Sequence, residues 1–230
     1  MMKKLMVLTG AGMSAESGIS TFRDAGGLWE QHRIEDVATP EAFRRNPELV
    51  HRFYNLRRKQ LMEASPNAGH YGLVELEKHF DVYVITQNVD NLHERAGSSK
   101  VLHLHGELMK MRSTGRGEEI FDVSVDKLEY EVGDLCPQGY PLRPHIVWFG
   151  EMVPEMEAAV DLMESADIVL VVGTSLQVYP AAGLLHYAPK KTPIYLIDPN
   201  EVPVDRQRVE VIQLGASEGI AAFAKKIVEK

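Results

Sequence analysis

Residues 3–23, "KKLMVLTGAGMSAESGISTFR", run from an apolar segment straight into a glycine-rich turn, and that junction decides how the chain is read. Leu5–Thr9 has the composition of a buried β-strand, and Gly10, Gly12 and Ala15 follow it with the G-x-G-x-x-G/A spacing of a dinucleotide-binding turn. Glycines there let backbone approach a pyrophosphate, whose charge is favourable at a helix N-terminus. A tight strand-to-helix turn with no ligand would select the same small residues, so the spacing alone leaves both readings open. The basic, apolar start reads as an opening strand rather than a leader peptide, because the run ends in Gly-Ala-Gly with turn character instead of a cleavage site.

Outward from that strand, runs rich in Val, Ile and Leu recur at Val82–Thr86, Val101–Leu104, Ile146–Phe149, Ile168–Val172, Ile194–Ile197 and Val209–Leu214. Such near-continuous runs fit strands buried on both faces. Helical patterns fill several gaps, at Pro154–Ser165, Pro180–Tyr187 and Ser217–Glu229, the last with Ile220, Phe223, Ala224 and Ile227 on one stripe. Alternating strands and helices predict an α/β fold, a parallel sheet with helices on both faces.

Two stretches break the alternation. Gly26–Pro66 reads as helical throughout, with Thr39 as an N-cap ahead of Pro40 and Glu41. Met109–Pro144 has weak periodicity, several glycines and the lone cysteine, Cys136. Both read as insertions that together form a small second domain.

Bulk properties exclude several classes. A chain of 230 residues with 44% hydrophobic and 25% charged residues can bury a real core in one large domain carrying an insertion. No apolar stretch approaches the ~20 residues of a membrane helix, so a soluble, cytoplasmic protein is expected. One cysteine excludes a disulfide framework and every multi-cysteine zinc site. A formal net charge of -8 argues against nonspecific nucleic-acid binding. The local cluster Arg52, Arg57, Arg58 and Lys59 reads mainly as a solvated helix face.

A hydride-transfer dehydrogenase should follow its first strand, about 20 residues on, with a second strand ending in an acidic residue that holds the adenosine ribose. Here "FRDAGGLWEQHRIEDVATPEAF" stands at residues 22–43, with no strand. The polar cluster lies further on instead, in "TQNVDNLHERAGSSKVLHLHGEL", residues 86–108, with Gln87, Asn88, Asp90 and three histidines around short apolar runs.

Those blocks, "GAGMSAESGISTFR", "TQNVDNLHERAG", "HLHGEL", "LRPHIVWFGE" and "VVGTSLQVYPAAGL", resemble, in order, the signature blocks of the sirtuins, NAD-dependent protein-lysine deacylases. The resemblance runs from Leu8 to about Gly215. It implies a Rossmann-like NAD-binding domain (1–25, 67–108 and 145–230) with a small inserted domain (26–66 and 109–144) and the site in the cleft between them. It further implies that an acyl-lysine carbonyl oxygen displaces nicotinamide from NAD, and that the acyl group ends on ADP-ribose as O-acyl-ADP-ribose, leaving free lysine.

By the same resemblance His105 is the general base and Asn88 the second catalytic residue. A histidine suits that task because its ordinary pKa lies near neutrality. His103 and His105, two residues apart, would share a strand face, and His103 and His93 are expected to support. The cofactor set is Gly10, Ala11, Gly12, Glu16, Thr21, Phe22, Arg23, Trp29, Gln87, Asn88, Val89, Asp90, Gly173, Thr174, Ser175, Asp198, Pro199, Asn200 and Ala216. Asp198 stands where the family commonly has Asn. Asn88 and Asp90 have a second reading as a turn and N-cap before "NLHERAG".

Val147, Trp148, Phe149 and Gly150 resemble the edge that captures the substrate backbone as an added strand, and equally fit a buried strand end. Tyr54 and Arg57, three residues apart on one helix face, match the Tyr-x-x-Arg pair of the branch that removes succinyl and malonyl groups, with Ala38 as the small residue that leaves room. The zinc cysteines usual in the family are missing: Ser113 stands where the first is expected and only Cys136 remains of the second pair. No zinc is therefore expected, with Ile120, Phe121, Leu128 and Tyr130 packing the second insertion. The implied partners are acyl-lysine proteins or peptides, with no nucleic acid or membrane, for a monomer that removes acetyl and succinyl or malonyl groups. An NAD or ADP-ribose binding module, which has no need of His105, and a mono-ADP-ribosyltransferase are the alternatives.

Overall fold

A computed structural model describes residues 2–19, 32–117 and 119–228. In chain order the elements are β1 (Lys4–Thr9), α1 (Gly12–Ala15), α2 (Ile34–Val37), α3 (Pro40–Arg45), α4 (Pro47–Glu63), α5 (Ala68–Leu76), β2 (Asp81–Thr86), α6 (Leu92–Ala96) and β3 (Val101–His103). Then come β4 (Gly106–Ser113), β5 (Ile120–Asp122), β6 (Leu142–Ile146), α7 (Met156–Glu164), β7 (Ile168–Val172), a 3-10 helix (Ala181–Tyr187), β8 (Ile194–Ile197), β9 (Val209–Ile212) and α8 (Ala216–Val228).

Six strands form one sheet in the order β3-β2-β1-β7-β8-β9, with every neighbouring pair parallel. The continuous apolar strands explain it, because alternate side chains leave the sheet on opposite faces and both faces must be covered. Met6, Leu8, Ile85, Val169 and Val171 join Ala159 and Met163 of α7 and Leu184 of the 3-10 helix. Leu5, Val7, Val82, Val84, Leu170 and Val172 join Leu73 of α5 and Ile220 and Phe223 of α8. The sheet winds outward from β1 in both directions, which creates a crevice at the carboxyl ends of β1 and β7. Among the described residues no helix is long and apolar enough to cross a membrane.

A second sheet, β5-β4-β6, is antiparallel and spans Gly106 to Ile146, wider at both ends than the 109–144 insertion. The sequence expectation of a strand at Ile146–Phe149 is corrected here, since the strand is Leu142–Ile146 and the chain leaves the sheet at Val147. Its burial alternates along "LRPHI", the mark of a strand with one wet face, so the apolar run after it marks the strand's end rather than its centre. Gly106 opens β4 with φ +79, and a Cβ there would stand 2.2 Å from the His145 carbonyl oxygen. Only glycine lets the chain turn from β3 into β4 at so close an approach.

The first insertion is helical as expected over its described part: α2, α3 and α4 cover most of residues 34–63. The Thr39 hydroxyl caps α3, accepting from Ala42 N at 3.0 Å. Val37, Ala42, Val50, Phe53 and Leu61 of these helices pack with Leu92 of α6, Leu108 of β4, Ile146 of β6 and Trp148. Arg58 corrects the solvated-face reading: it is fully buried and donates from Nε to the Leu108 carbonyl at 2.8 Å and from Nη1 to Asn55 Oδ1 at 2.7 Å. Asn55 in turn pairs with the backbone of Tyr130 through both its amide atoms, at 2.9 and 3.1 Å. The second insertion is thus clamped to α4 by polar groups.

Its own small core is Met111, Val123, Tyr130, Cys136 and Leu142, with Phe121 and Leu128 against it. Ile120 is the exception to the expected packing, being 52% exposed. In β5 it alternates with Phe121, and only one of two neighbours on a strand can face inward.

Candidate active site

The loops after β1 and β7 meet edge to edge. Gly10 N donates to the Val172 carbonyl at 3.0 Å and Gly12 N to the Gly173 carbonyl at 2.9 Å. A Cβ on Gly12 would lie 2.7 Å from Gly173 Cα, and one on Gly10 2.8 Å from Gly173 O, so both glycines are required by loop packing as well as by any ligand. The N–H groups of Ala11 and Thr174 find no acceptor among the described residues. These donors, at the crevice where doubly wound sheets bind nucleotides, fit a pyrophosphate. No carboxylate ends β2: Thr86 and Gln87 stand there, against a hydride-transfer site of the usual kind.

Gln87 to Asp90 cross the same crevice. Gln87 Nε2 donates to Thr174 Oγ1 at 3.2 Å, tying the end of β2 to the end of β7. Asn88 Nδ2 donates to the Gly10 carbonyl and Ser14 Oγ, each at 3.1 Å, and its backbone N–H to Thr86 Oγ1 at 3.0 Å. Asp90 is buried and accepts from Ser14 Oγ at 2.9 Å and Leu92 N at 3.1 Å. It therefore does cap α6, as its second reading had it. Burial pushes its carboxyl pKa up despite the bonds from Leu92 and Ser14 and the charge on His103.

The three histidines differ by their partners. His105 lies in the short link between β3 and β4, hence between the two sheets, and its Nδ1 sits 3.0 Å from the Gln87 carbonyl oxygen. A carbonyl can only accept, so Nδ1 carries the proton and the neutral ring presents the Nε2 lone pair, which has no partner among the described residues. Burial lowers its pKa, opposed by the Gln87 bond, and keeps it neutral near pH 7. His103 instead has an acceptor at each nitrogen, the Asn88 carbonyl at 3.0 Å and Glu94 Oε1 at 2.7 Å. Burial lowers its pKa too, but the Glu94 bond and the charges of Glu94 and Glu107 outweigh it and the net shift is upward. With an acceptor facing each nitrogen, His103 lacks the open lone pair that a base needs. His93 is fully buried, with Nε2 3.1 Å from Thr9 Oγ1, and burial holds its pKa well below the usual value.

At the other end of the crevice, Thr174 Oγ1 also accepts from Leu176 N at 3.2 Å, and Ser175 follows it. Asp198 is buried and folds back on Asn200 N at 2.9 Å, across Pro199. Glu16 Oε1 accepts from Ser217 N at 3.1 Å, beside Ala216 at the start of α8. Val89 is half-buried, and its carbonyl accepts from Leu108 N at 2.7 Å. Thr21, Phe22, Arg23 and Trp29 lie outside the described residues.

The 147–150 segment joins the two insertions. Phe149 N donates to the Ala38 carbonyl at 3.0 Å, Val147 N to the His105 carbonyl at 2.9 Å, and Trp148 N to Glu151 Oε2 at 2.7 Å. These three N–H groups are committed internally, and in the 147–150 segment Gly150 alone has an N–H with no partner among the described residues. Tyr54 is buried, and the Arg57 guanidinium carbon stands 5.8 Å from its ring centroid. Burial lowers the Arg57 pKa, opposed in part by Tyr54 and Asp90. Ser14, Glu94, Arg143 and Glu151 complete the arrangement and were not singled out from sequence. A hydroxyl, a carboxylate or a guanidinium takes its task here from partners distant in the chain, and spacing carries no mark of that.

The model of the Sir2 family matches residues 10–180. A protein named NAD-dependent protein deacylase from Bacteroides thetaiotaomicron is 57% identical over 231 residues, covering 99% of each chain. One of the same name from Aggregatibacter actinomycetemcomitans is 60% identical over 195 residues, 85% of this chain and 92% of its own. Among solved structures, a complex of a Sir2 homologue with NAD superposes with a TM-score of 0.88 at 39% identity, covering 99% of this chain and 90% of the other.

Proposed function

The chain belongs to the Sir2 family, and from that membership we propose that it removes acyl groups from protein lysines at the expense of NAD, with His105 as general base. It is an NAD-dependent protein deacylase, and NAD is a consumed co-substrate. NAD supplies the ADP-ribose that leaves with the acyl group and the nicotinamide that is expelled. Ala11 and Thr174 would hold the pyrophosphate by their backbone N–H groups, Gly10 and Gly12 would let it approach by keeping the loop free of side chains, Gln87 and Asn88 would hold the ribose, and Asp90 the nicotinamide carboxamide. Glu16, Ser175, Asp198, Pro199, Asn200 and Ala216 would border the adenosine, and Val89 the nicotinamide side. Thr21, Phe22, Arg23 and Trp29 complete the proposed set.

The observation that carries the reading is the His105 ring, whose Nδ1 is locked on the Gln87 carbonyl so that Nε2 is the basic atom. His105 would take the proton of a ribose hydroxyl. The carbonyl that fixes its tautomer belongs to the loop carrying Asn88 and Asp90, so base and cofactor contacts are set by one segment.

The acyl range is proposed to include succinyl and malonyl as well as acetyl. Tyr54 and Arg57 would bind the acyl carboxylate in a pocket beside Ala38, and the Val147–Gly150 segment would take the peptide backbone. A guanidinium and a phenol on one helix face offer the charge-assisted bonds a carboxylate needs. We further propose a zinc-free small domain (26–66 and 109–144) on an NAD-binding domain (1–25, 67–108 and 145–230), in a cytoplasmic monomer that binds neither nucleic acid nor membrane. The contact of Ser113 Oγ with Cys136 Sγ, 3.5 Å apart, supports the zinc-free reading, because a hydroxyl and one thiol stand together there in place of a thiolate set.

The test is incubation with NAD and matched acetyl- and succinyl-lysine peptides, following nicotinamide release and O-acyl-ADP-ribose by mass spectrometry. Deacylated peptide with O-acyl-ADP-ribose supports the reading. A peptide that gains an ADP-ribose mass would make the protein a transferase, and binding without turnover would make it a binding module.

A further inference from the structure

We propose that Trp148 sets the acyl preference by fixing the direction of the Tyr54 hydroxyl proton, and that Arg143 and Glu151 hold its indole for that purpose. The inference rests on the reading of Tyr54 and Arg57 as the acyl-carboxylate site.

A phenol has one proton to give and lone pairs to receive. The Trp148 indole N–H, which can only donate, lies 3.0 Å from Tyr54 Oη, so the phenol must accept there. Tyr54 is 1% exposed, and its own proton has no acceptor among the described residues. With the acceptor side occupied, the proton is turned away from the indole and remains available to a ligand. Arg57 lies one helical turn along on the same face. A carboxylate entering between them would meet an O–H donor and a guanidinium, whereas an acetyl methyl group can use neither. A buried hydroxyl with an unused proton costs stability until such a ligand arrives, which is the pattern expected of a site prepared for an acceptor.

The indole is itself held by two neighbours. The Arg143 guanidinium carbon sits 3.4 Å from the Trp148 ring centroid, and Phe43 packs at 5.4 Å. Glu151 grips Arg143 through two bonds, 2.7 and 3.0 Å, and with the same carboxylate accepts from Trp148 N at 2.7 Å and Arg112 Nη2 at 3.2 Å. One carboxylate therefore fixes both the backbone of the residue and the cation that stacks on its ring. Trp148, Arg143 and Glu151 act as positioning residues, since none needs to touch the acyl carboxylate.

The experiment compares kcat and KM of the full-length enzyme with NAD on a succinyl- and an acetyl-lysine peptide of one sequence, in W148F, Y54F, the double variant and R143M. Trp148→Phe keeps the stacked ring and removes the indole N–H. The succinyl-to-acetyl ratio of kcat/KM should fall roughly tenfold, the scale of one hydrogen bond lost from a buried site, with the change in succinyl KM. In the Tyr54→Phe background the same substitution should leave the ratio where Tyr54→Phe put it. Arg143→Met should shift the ratio the same way by a smaller factor. A purely structural role would lower both substrates by one factor in W148F and R143M, and that result overturns the proposal. If Tyr54→Phe lowers the ratio and Trp148→Phe does not, the proposal fails while the acyl-carboxylate reading stands. If Tyr54→Phe itself leaves the ratio unchanged, that reading fails and takes the proposal with it.

Discussion

Two histidines two residues apart have their pKa values pushed in opposite directions by what surrounds them. Burial lowers that of His105, whose ring meets one carbonyl, while the Glu94 carboxylate raises that of His103, whose ring meets a carbonyl as well. The acid limb of kcat/KM should therefore fall below the ordinary histidine pKa of 6.5, as a lowered His105 pKa in the free enzyme requires. For stability the signs oppose. His51 and His70 are pushed down to about 4 by burial, so the stability they contribute is present above 6.5 and is lost as pH falls toward 4. His103 has a raised folded pKa, so its contribution is fully present below the ordinary 6.5 and is lost as pH rises past 6.5 through the raised folded value. Glu94→Gln, which removes the carboxylate, should accordingly lower the melting temperature more at pH 6 than at pH 9. Equal losses at both would show that the pair is not ionic. Sequence suggested His105 only through family likeness, for two histidines on one strand look alike until their partners are known.

At the scale of elements, what was legible is what periodicity records. The runs at Ile168–Val172 and Ile194–Ile197 became β7 and β8 residue for residue, because strands buried on both faces must be apolar throughout. The Thr39 cap was legible for a similar local reason. The small sheet was not, since "LRPHI" alternates and β5 is three residues long, leaving pairing to decide. Nor was the clamp from α4, where Arg57 and Arg58 are neighbours in sequence and Arg58 is the one whose Nε bonds the Leu108 carbonyl of β4. Arg58→Met should destabilise the protein by about 2 kcal/mol, because the Leu108 carbonyl and Asn55 lose a buried donor at roughly 1–3 kcal/mol each while a buried charge is relieved. Urea unfolding measures it, and a neutral or stabilising result would mean the clamp is dispensable.

For the whole molecule, two sheets share one continuous chain from β3 to β4, and the proposed base sits in the two-residue joint. The same joint explains why one loop, Gln87–Asp90, reaches both the nucleotide crevice and the ring of His105. The small sheet is closed by its own apolar core and by Asn55 and Arg58, so its stability should not depend on metal. Elemental analysis of purified protein should find zinc far below one equivalent, and a chelator should leave the melting temperature unchanged; stoichiometric zinc would refute this. The chemistry at His105 is tested most directly by one comparison. Wild-type protein and His105→Tyr are incubated with NAD and an acyl-lysine peptide, O-acyl-ADP-ribose is followed by mass spectrometry, and folding is checked by circular dichroism. The wild type should form the product and the folded variant should not. A folded His105→Tyr protein that forms O-acyl-ADP-ribose at the wild-type rate would contradict the account.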